Sequence, residues 1–443
     1  MTETDTHEQV EQAQSAALRL ANVDAAERDA ALASIADAIR ANSEAILAAN
    51  ETDVEQAEQL LAEGEYTQAL VDRLKLDAGK LDSIAGMVES VAEQSDPLGK
   101  TLTARELDAD LELYKQSVPI GVVGTIFESR PDALVQIAAL ALKSGNSVIL
   151  KGGSEASESN RALYETIVEA TADLPDGWAT LIEAHEEVDR LLEMDDMVDL
   201  VMPRGSSEFV SYIESNTQIP VLGHTEGVCH VYVDDAADLA MAEDIALDAK
   251  VQYPAVCNAV ETLLVHESVA ADFLPGAVER YREEGVTLRG DAATREHVDI
   301  DPVTEDDWRA EYGDLELAIT IVEDVYAAVS HINENGSKHT ESIVTEDADA
   351  AETFMTGIDA ASVFHNASTR FADGYRYGLG AEVGISTGKI HARGPVGLEG
   401  LTTYKYYLEG DGQLVASYAG EDALPFTHRE FDGEWTPGHL AGE

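Results

Sequence analysis

Between residues 7 and 92 the apolar positions recur at helical spacing. In the run AALASIADAIRANSEAILAAN, Ile35, Ala38, Ile39, Ile46 and Leu47 share one face, which predicts a segment of several packed helices. DRLKLD marks a turn between two of them, and Asp96-Pro97 ends the pattern. Over 101–118 the residues alternate around Leu111, Leu113 and Tyr114, as in a strand or hairpin arm. From 119 the pattern changes to short continuous apolar runs separated by helical stretches: a strand in PIGVVGTIF ending in a polar turn, a helix over 133–143, a strand over 147–151, a helix over 158–170, a strand over 179–183, and a helix and strand ending at Val201-Met202. Strand, helix and strand in so few residues make a parallel crossover unit, and its repetition predicts a doubly wound sheet. The alternation resumes with strands over 260–265, 318–322, 342–345 and 362–366 and helices over 270–284 and 325–333, so a second α/β domain is placed from 251 to 393. The aromatic run 404–408 reads as a strand before an acidic, loose terminus.

The second set begins at AKVQYPAVCNAVETLLVH, where Cys257 lies between the Pro254-Ala255 turn and a buried strand. A lone cysteine is usually a small buried hydrophobe, but a thiol at a strand entrance, with backbone N–H groups close by, suits attack on a carbonyl. Two consecutive strand ends carry Lys151 and Arg204, and PRGSSEF opens a helix with Ser206 and Ser207 at its start, which either caps the helix or offers its N–H groups to a phosphate. In a chain with only 28 Lys plus Arg, the placement of Lys151, Arg204, Arg130, Lys250, Lys389 and Arg393 at element ends favours anion binding over chance surface positions.

Composition sets the habitat more than the reaction. The 443 residues suffice for two to three domains, and the net charge is −58, with 86 acidic residues against 28 basic ones. The acids are spread along the chain, which predicts a solvated acidic surface adapted to high salt and excludes nucleic acid and anionic membrane as partners. Two cysteines cannot form a disulfide framework, the N-terminus is polar and acidic, and no apolar run approaches a membrane span; a cytoplasmic protein is expected. Short motifs are of little help. GVVGTIF has the wrong spacing for a dinucleotide fingerprint, GISTGKI is one residue short of a P-loop, and no H-E-x-x-H, Cys/His pairing or G-x-S-x-G is present, so no metal site is expected.

Longer stretches carry a resemblance. DRLKLD, DPLGK, VPIGVVGTIFESRPDALVQIAALALKSGNSVILKGG, PRGSSEF, VQYPAVCNAVETLLVH, NENGSKHTESIVTED and SVFHNASTRFADGYRYGLGAEVGISTGKIHARGPVGLEGLTTYKYY run nearly end to end. Through them the chain resembles the aldehyde dehydrogenase superfamily and, within it, the γ-glutamyl phosphate reductases. The resemblance implies an α/β fold of two doubly wound domains plus a small oligomerisation arm: N-terminal helices of the cofactor domain over 1–100, the arm over 101–118, an NADP-binding domain over 119–250, a catalytic domain over 251–395, and a C-terminal arm and tail over 396–443. It also implies NADPH-dependent reduction of L-glutamyl 5-phosphate through a thioacyl enzyme, in proline biosynthesis, by a homo-oligomer fed by a separate glutamate 5-kinase.

The resemblance assigns the nucleophile to Cys257, with Ser129 and Asn258 completing the catalytic set. Lys151, Arg204, Gly205, Ser206 and Glu311 fall to the cofactor, and Arg130, Lys389 and Arg393 to substrate and phosphate. Where the superfamily has Trp-Asn-Phe-Pro, this chain has Glu-Ser-Arg-Pro over 128–131, so Arg130 offers a charge suited to an acyl phosphate. Where the superfamily's hydrolytic base lies in Glu-Leu-Gly-Gly, this chain has His-Thr-Glu-Gly over 224–227, which suits an enzyme that must not hydrolyse its thioester and leaves the role of Glu226 open. The alternatives are a hydrolytic aldehyde dehydrogenase and a non-catalytic binding protein on the same fold.

Overall fold

The continuous apolar runs become parallel strands covered on both faces, the environment that such runs require. The structure is a computed structural model and describes residues 3–128, 130–183, 186–224 and 226–436. Val122–Phe127 and Ser147–Gly152 are buried at every residue and lie at the centre of a four-stranded parallel sheet, flanked by Leu200–Arg204 and Ala179–Ile182. Two N-terminal helices share a core with the face of Val123, Phe127, Val148 and Leu150, while Val10, Ala13 and Ala17 of Glu3–Leu20 join Val122, Ile126 and Ile149 on the other face. Ala25–Ala41 buries Leu32, Ile35, Ala36 and Ile39, and Ala78–Glu93, started by the Asp77 carboxylate accepting the Lys80 N–H at 2.7 Å, buries Leu81, Ile84, Ala85, Val88 and Val91. Each of the larger aliphatic side chains contributes roughly 1.5–3 kcal/mol on burial. Both helices meet the buried helix Pro131–Lys143 in one core.

The second sheet has seven parallel strands, in the order Asp301–Pro302, Thr287–Gly290, Glu316–Val322, Val260–His266, Cys229–Val233, Thr340–Val344 and Ser362–His365. This corrects the boundary drawn from sequence. Cys229–Val233 and the helix Leu239–Val251, assigned to the first domain as part of 119–250, belong to the second sheet, because Cys229–Val233 is fully buried between Val260–His266 and Thr340–Val344. Conversely Ala381 and Val383, assigned to the catalytic segment 251–395, pack in the core of the first sheet with Val396, Leu398 and Leu401.

The arm is an antiparallel sheet of Thr402–Gly410, Leu111–Pro119, Thr101–Asp108 and Arg429–Glu430. The acidic tail expected to be loose is tied down as far as Trp435. That ring stacks on Tyr407 at 3.9 Å, its Nε1–H donates to Glu409 at 2.6 Å, and its backbone N–H donates to Thr101 Oγ1 at 3.0 Å. Among the described residues no helix is long and apolar enough to cross a membrane.

Candidate active site

The C-terminal ends of the four-stranded sheet face the entrance of the Val260–His266 strand, and between them lies a cavity of about 840 Å³. Phe127, Glu128, Arg130, Arg204, Gly205 and Ser206 line it from the first sheet, and Cys257, Asn258 and Arg370 from the second. Ligand sites of open α/β sheets form at such strand ends.

Cys257 is half-buried on the turn between Leu239–Val251 and Val260–His266. Two contacts fix that turn. Beneath it Lys250 Nζ donates to Glu261 Oε2 at 2.6 Å with both side chains fully buried. Behind it the backbone at Gly227 approaches so closely that a Cβ there would lie 2.1 Å from the Cys257 carbonyl oxygen and 2.4 Å from its Cα. Burial pushes the Cys257 thiol up to about 12; the negative fields of Glu311 and Glu382 add to this, while Arg204 and the residue's own N–H oppose it. The dipoles and the cation expected from sequence to activate this sulfur are present. Desolvation outweighs them, so the free protein holds a thiol and not a thiolate.

Arg204, at the end of its strand, is the cation nearest in effect. Burial weakens its hold on its proton and the Arg130 charge adds to that, with Glu382 acting the other way. Its Nη1 is buried with no hydrogen-bond partner among the described residues, an orphan donor at a cavity wall. Arg370 joins it, with Nε donating to Gln252 Oε1 at 2.9 Å.

Gly205 and Ser206 stand at the strand end and helix start expected of them. Ser206 caps Ser207–Asn216, its Oγ accepting the Phe209 N–H at 3.4 Å and its own N–H donating to Glu128 Oε2 at 3.3 Å. A Cβ at Gly205 would lie 2.6 Å from that carboxylate. Lys151 is buried one strand away, its Nζ donating to the Gly152 carbonyl at 2.6 Å, and desolvation lowers its pKa. Glu311 is held by the Gly227 N–H and reaches Cys257 through its field; burial raises its pKa. A glycine at a strand end, a capped helix start and a buried lysine at the end of a strand in the same sheet fit a nicotinamide dinucleotide.

Other expectations change. Asn258 lines the cavity and donates one of its two Nδ2 hydrogens to the Ala372 carbonyl at 2.8 Å, which pins the 372 loop. Lys250 is buried in its ion pair and binds no external anion. Lys389 and Arg393 both hold Asp359, at 2.8 and 3.0 Å, and keep its carboxyl at about 2; neither lines the cavity. Glu226 is exposed and does not line the cavity either. Ser129 lies outside the described residues. Residues not singled out from sequence include Glu128, Arg370 and Glu382, whose carboxylate accepts the Gly374 N–H at 2.8 Å, together with two histidines. His224 Nδ1–H donates to the Ile385 carbonyl at 3.1 Å, and the His224 ring meets His339 edge to face at 5.3 Å.

The model for the aldehyde dehydrogenase family matches residues 1–315. The chain belongs to the aldehyde dehydrogenase family. Within that family it is 72% identical to the γ-glutamyl phosphate reductase of Natronomonas pharaonis, over 99% of this chain and 100% of that protein. To the γ-glutamyl phosphate reductase of Haloquadratum walsbyi it is 66% identical, over 97% of this chain and 96% of that protein. The crystal structure of the Thermotoga maritima γ-glutamyl phosphate reductase superposes with a TM-score of 0.89 at 41% identity, covering 92% of this chain and 99% of that one. A glyceraldehyde-3-phosphate dehydrogenase from Methanocaldococcus jannaschii, solved with NADP, shares the fold at a TM-score of 0.66 and 17% identity, over 93% of this chain and 95% of that one.

Proposed function

We propose that the chain reduces L-glutamyl 5-phosphate to L-glutamate 5-semialdehyde with NADPH, releasing phosphate, through a thioacyl intermediate on Cys257. The observation that carries this reading is the half-buried thiol sharing a cavity wall with Arg204, whose Nη1 has no partner among the described residues, and with Arg130. A hydrolytic dehydrogenase has no use for two guanidiniums at that wall, whereas an acyl phosphate brings a dianion to be held and released. The identity to proteins named γ-glutamyl phosphate reductase supports the same substrate.

Cys257 Sγ attacks the acyl carbon; the S–H bond breaks, the C–S bond forms, and the C–O bond to phosphate breaks. A thiol this hard to ionise loses its proton in step with attack. Glu311 and Glu382, whose fields reach the sulfur and whose own acidity burial weakens, are the acceptors the site offers. Arg204 and Arg130 receive the departing phosphate, and the Cys257 backbone N–H faces the developing oxyanion. Gly205, Ser206 and Lys151 would hold the reduced nicotinamide dinucleotide, which would supply the hydride to the thioacyl carbon. Cleavage of the C–S bond then frees the aldehyde and returns the sulfur. The exposed position of Glu226, outside the cavity, leaves water without that base at the thioester, which favours reduction over hydrolysis.

The same reading puts the enzyme in the cytoplasm, supplied with acyl phosphate by a separate glutamate 5-kinase. It also makes the chain a homo-oligomer through the arm, where the edge strand Thr402–Gly410 exposes Tyr404, Tyr406 and Leu408. The experiment is the reverse reaction in high salt. NADP reduction by glutamate semialdehyde should require inorganic phosphate; equal turnover without phosphate would replace this reading with the hydrolytic one.

A further inference from the structure

Three side chains far apart in sequence converge at the cavity, His224 and Cys257 on its wall and the buried His339 next to them. His224, Cys257 and His339 each offer one donor atom, and the three atoms lie within 4.8 Å of one another. Neither ring is arranged as an idle core histidine. His224 commits Nδ1–H to the Ile385 carbonyl at 3.1 Å, which leaves Nε2 as a lone-pair donor. His339 is almost wholly buried, with Nδ1 2.8 Å from Thr340 Oγ1 and 3.8 Å from Cys229 Sγ, and its Nε2 is buried without a partner among the described residues. An unsatisfied nitrogen costs free energy unless something binds there. A carbonyl held by the far nitrogen of one ring and a hydroxyl by that of the other are the contacts that orient imidazoles toward a metal.

The geometry points to a binding site for a borderline-soft divalent ion, Zn²⁺ or Co²⁺, held by His224 Nε2, His339 Nε2 and Cys257 Sγ with water in the fourth position. Tetrahedral zinc takes nitrogen at about 2.0–2.1 Å and thiolate sulfur at about 2.3 Å, which puts the donors roughly 3.5 Å apart. The three donor atoms, within 4.8 Å of one another, close to that spacing on binding. Binding breaks the S–H bond, forms the S–metal bond and gives the thiol proton to solvent. The charges facing the sulfur are Glu311 and Glu382, which attract a cation, and Arg204 and Arg370, which oppose it; Cys229 is held as a thiol by burial. Linear motifs could not reveal this set, since its members come from three separate stretches of the chain.

An ion so placed occupies the sulfur lone pair and stops acyl transfer until a chelator removes it. The site is tested without substrate or nucleotide, so its outcome is separate from that of the reductase reading. Reduced, chelator-stripped protein in high salt is titrated anaerobically with Co²⁺ and followed by absorption. One equivalent should give a thiolate-to-cobalt charge-transfer band with the intense visible bands of four-coordinate cobalt, bleached by Zn²⁺. Cys257→Ser should abolish the charge-transfer band, and His224→Ala and His339→Ala should each weaken cobalt binding at least tenfold at unchanged circular dichroism. Absence of the band, its survival in Cys257→Ser, or unchanged affinity in both histidine variants would overturn the site. If a histidine variant does not fold, the wild-type protein decides: one equivalent of Zn²⁺ should protect Cys257 from alkylation, as read by peptide mass, and full alkylation in its presence would equally refute the site.

Discussion

Lys250 and Glu261 form a wholly buried ion pair, 2.6 Å from Nζ to Oε2, with Cys257 on the turn between them. Glu261 also accepts the Gly313 N–H at 3.4 Å, and burial still holds its carboxyl up to about 7 against the pull of Lys250. Removing one member of such a pair strands a charge, whereas replacing both by apolar residues of similar volume is often tolerated. Lys250→Met alone is therefore expected to cost about 3–5 kcal/mol, and Lys250→Met with Glu261→Leu to recover most of it. Urea midpoints in high salt measure both; a double variant as unstable as the single one would contradict the assignment.

Gly227 makes a second, steric claim on the same turn. A methyl group there meets Cys257 backbone at 2.1 and 2.4 Å, and backbone cannot swing aside as a flexible side chain can. Gly227→Ala is expected to lose on the order of 1–3 kcal/mol and, by displacing the sulfur, at least tenfold in turnover. Wild-type kinetics in the alanine variant would show that the turn has room the geometry denies.

The thiol should report its neighbours through alkylation rates. Its pKa is raised to about 12, so at every pH from neutral to moderately alkaline the reactive thiolate is a minor species, and the rate with iodoacetamide should climb without a plateau. Glu382 pushes that pKa up, so Glu382→Gln lowers it and speeds alkylation at fixed pH. Arg204 pulls it down, so Arg204→Met raises it and slows alkylation; in both, the thiolate fraction changes about tenfold for every pH unit by which the thiol's titration moves. Equal rates in all three proteins would mean that neither charge reaches the sulfur.

The two sheets were legible from sequence because their strands are buried on both faces, and runs such as 122–127, 147–152 and 260–265 carry that burial as largely apolar stretches. Cys229–Val233 escaped notice because its Cys, His and Tyr break the apolar run, and the buried His230 finds its partner, Glu341, only in three dimensions. Missing that strand moved the domain boundary. Arg204 and Arg130, read from sequence as cations at element ends, line the cavity, whereas Lys389 and Arg393, read the same way, pair with Asp359. Where 86 acids surround 28 bases, a surface cation finds a carboxylate whatever its role, and Asp359 took both. Arg370, His224 and His339 carried no local signal, since what makes them neighbours of Cys257 is the packing of separate segments.

The acidic surface gives a prediction of its own. With a net charge of −58, self-repulsion at low ionic strength should loosen the native state, and screening acts within about 3 Å at molar salt against about 30 Å at ~0.01 M. The thermal midpoint is expected to rise steeply with KCl up to molar concentrations; a flat profile would rule out salt adaptation.

Covalent capture of the glutamyl group by Cys257 is the step on which the rest depends, and it can be weighed directly. Protein incubated with glutamate semialdehyde and NADP in phosphate-free high salt, then acid-quenched and digested, should carry a glutamyl mass increment on the Cys257 peptide that vanishes when phosphate is added. An unmodified Cys257 peptide, or an equal adduct in Cys257→Ala, would contradict the mechanism.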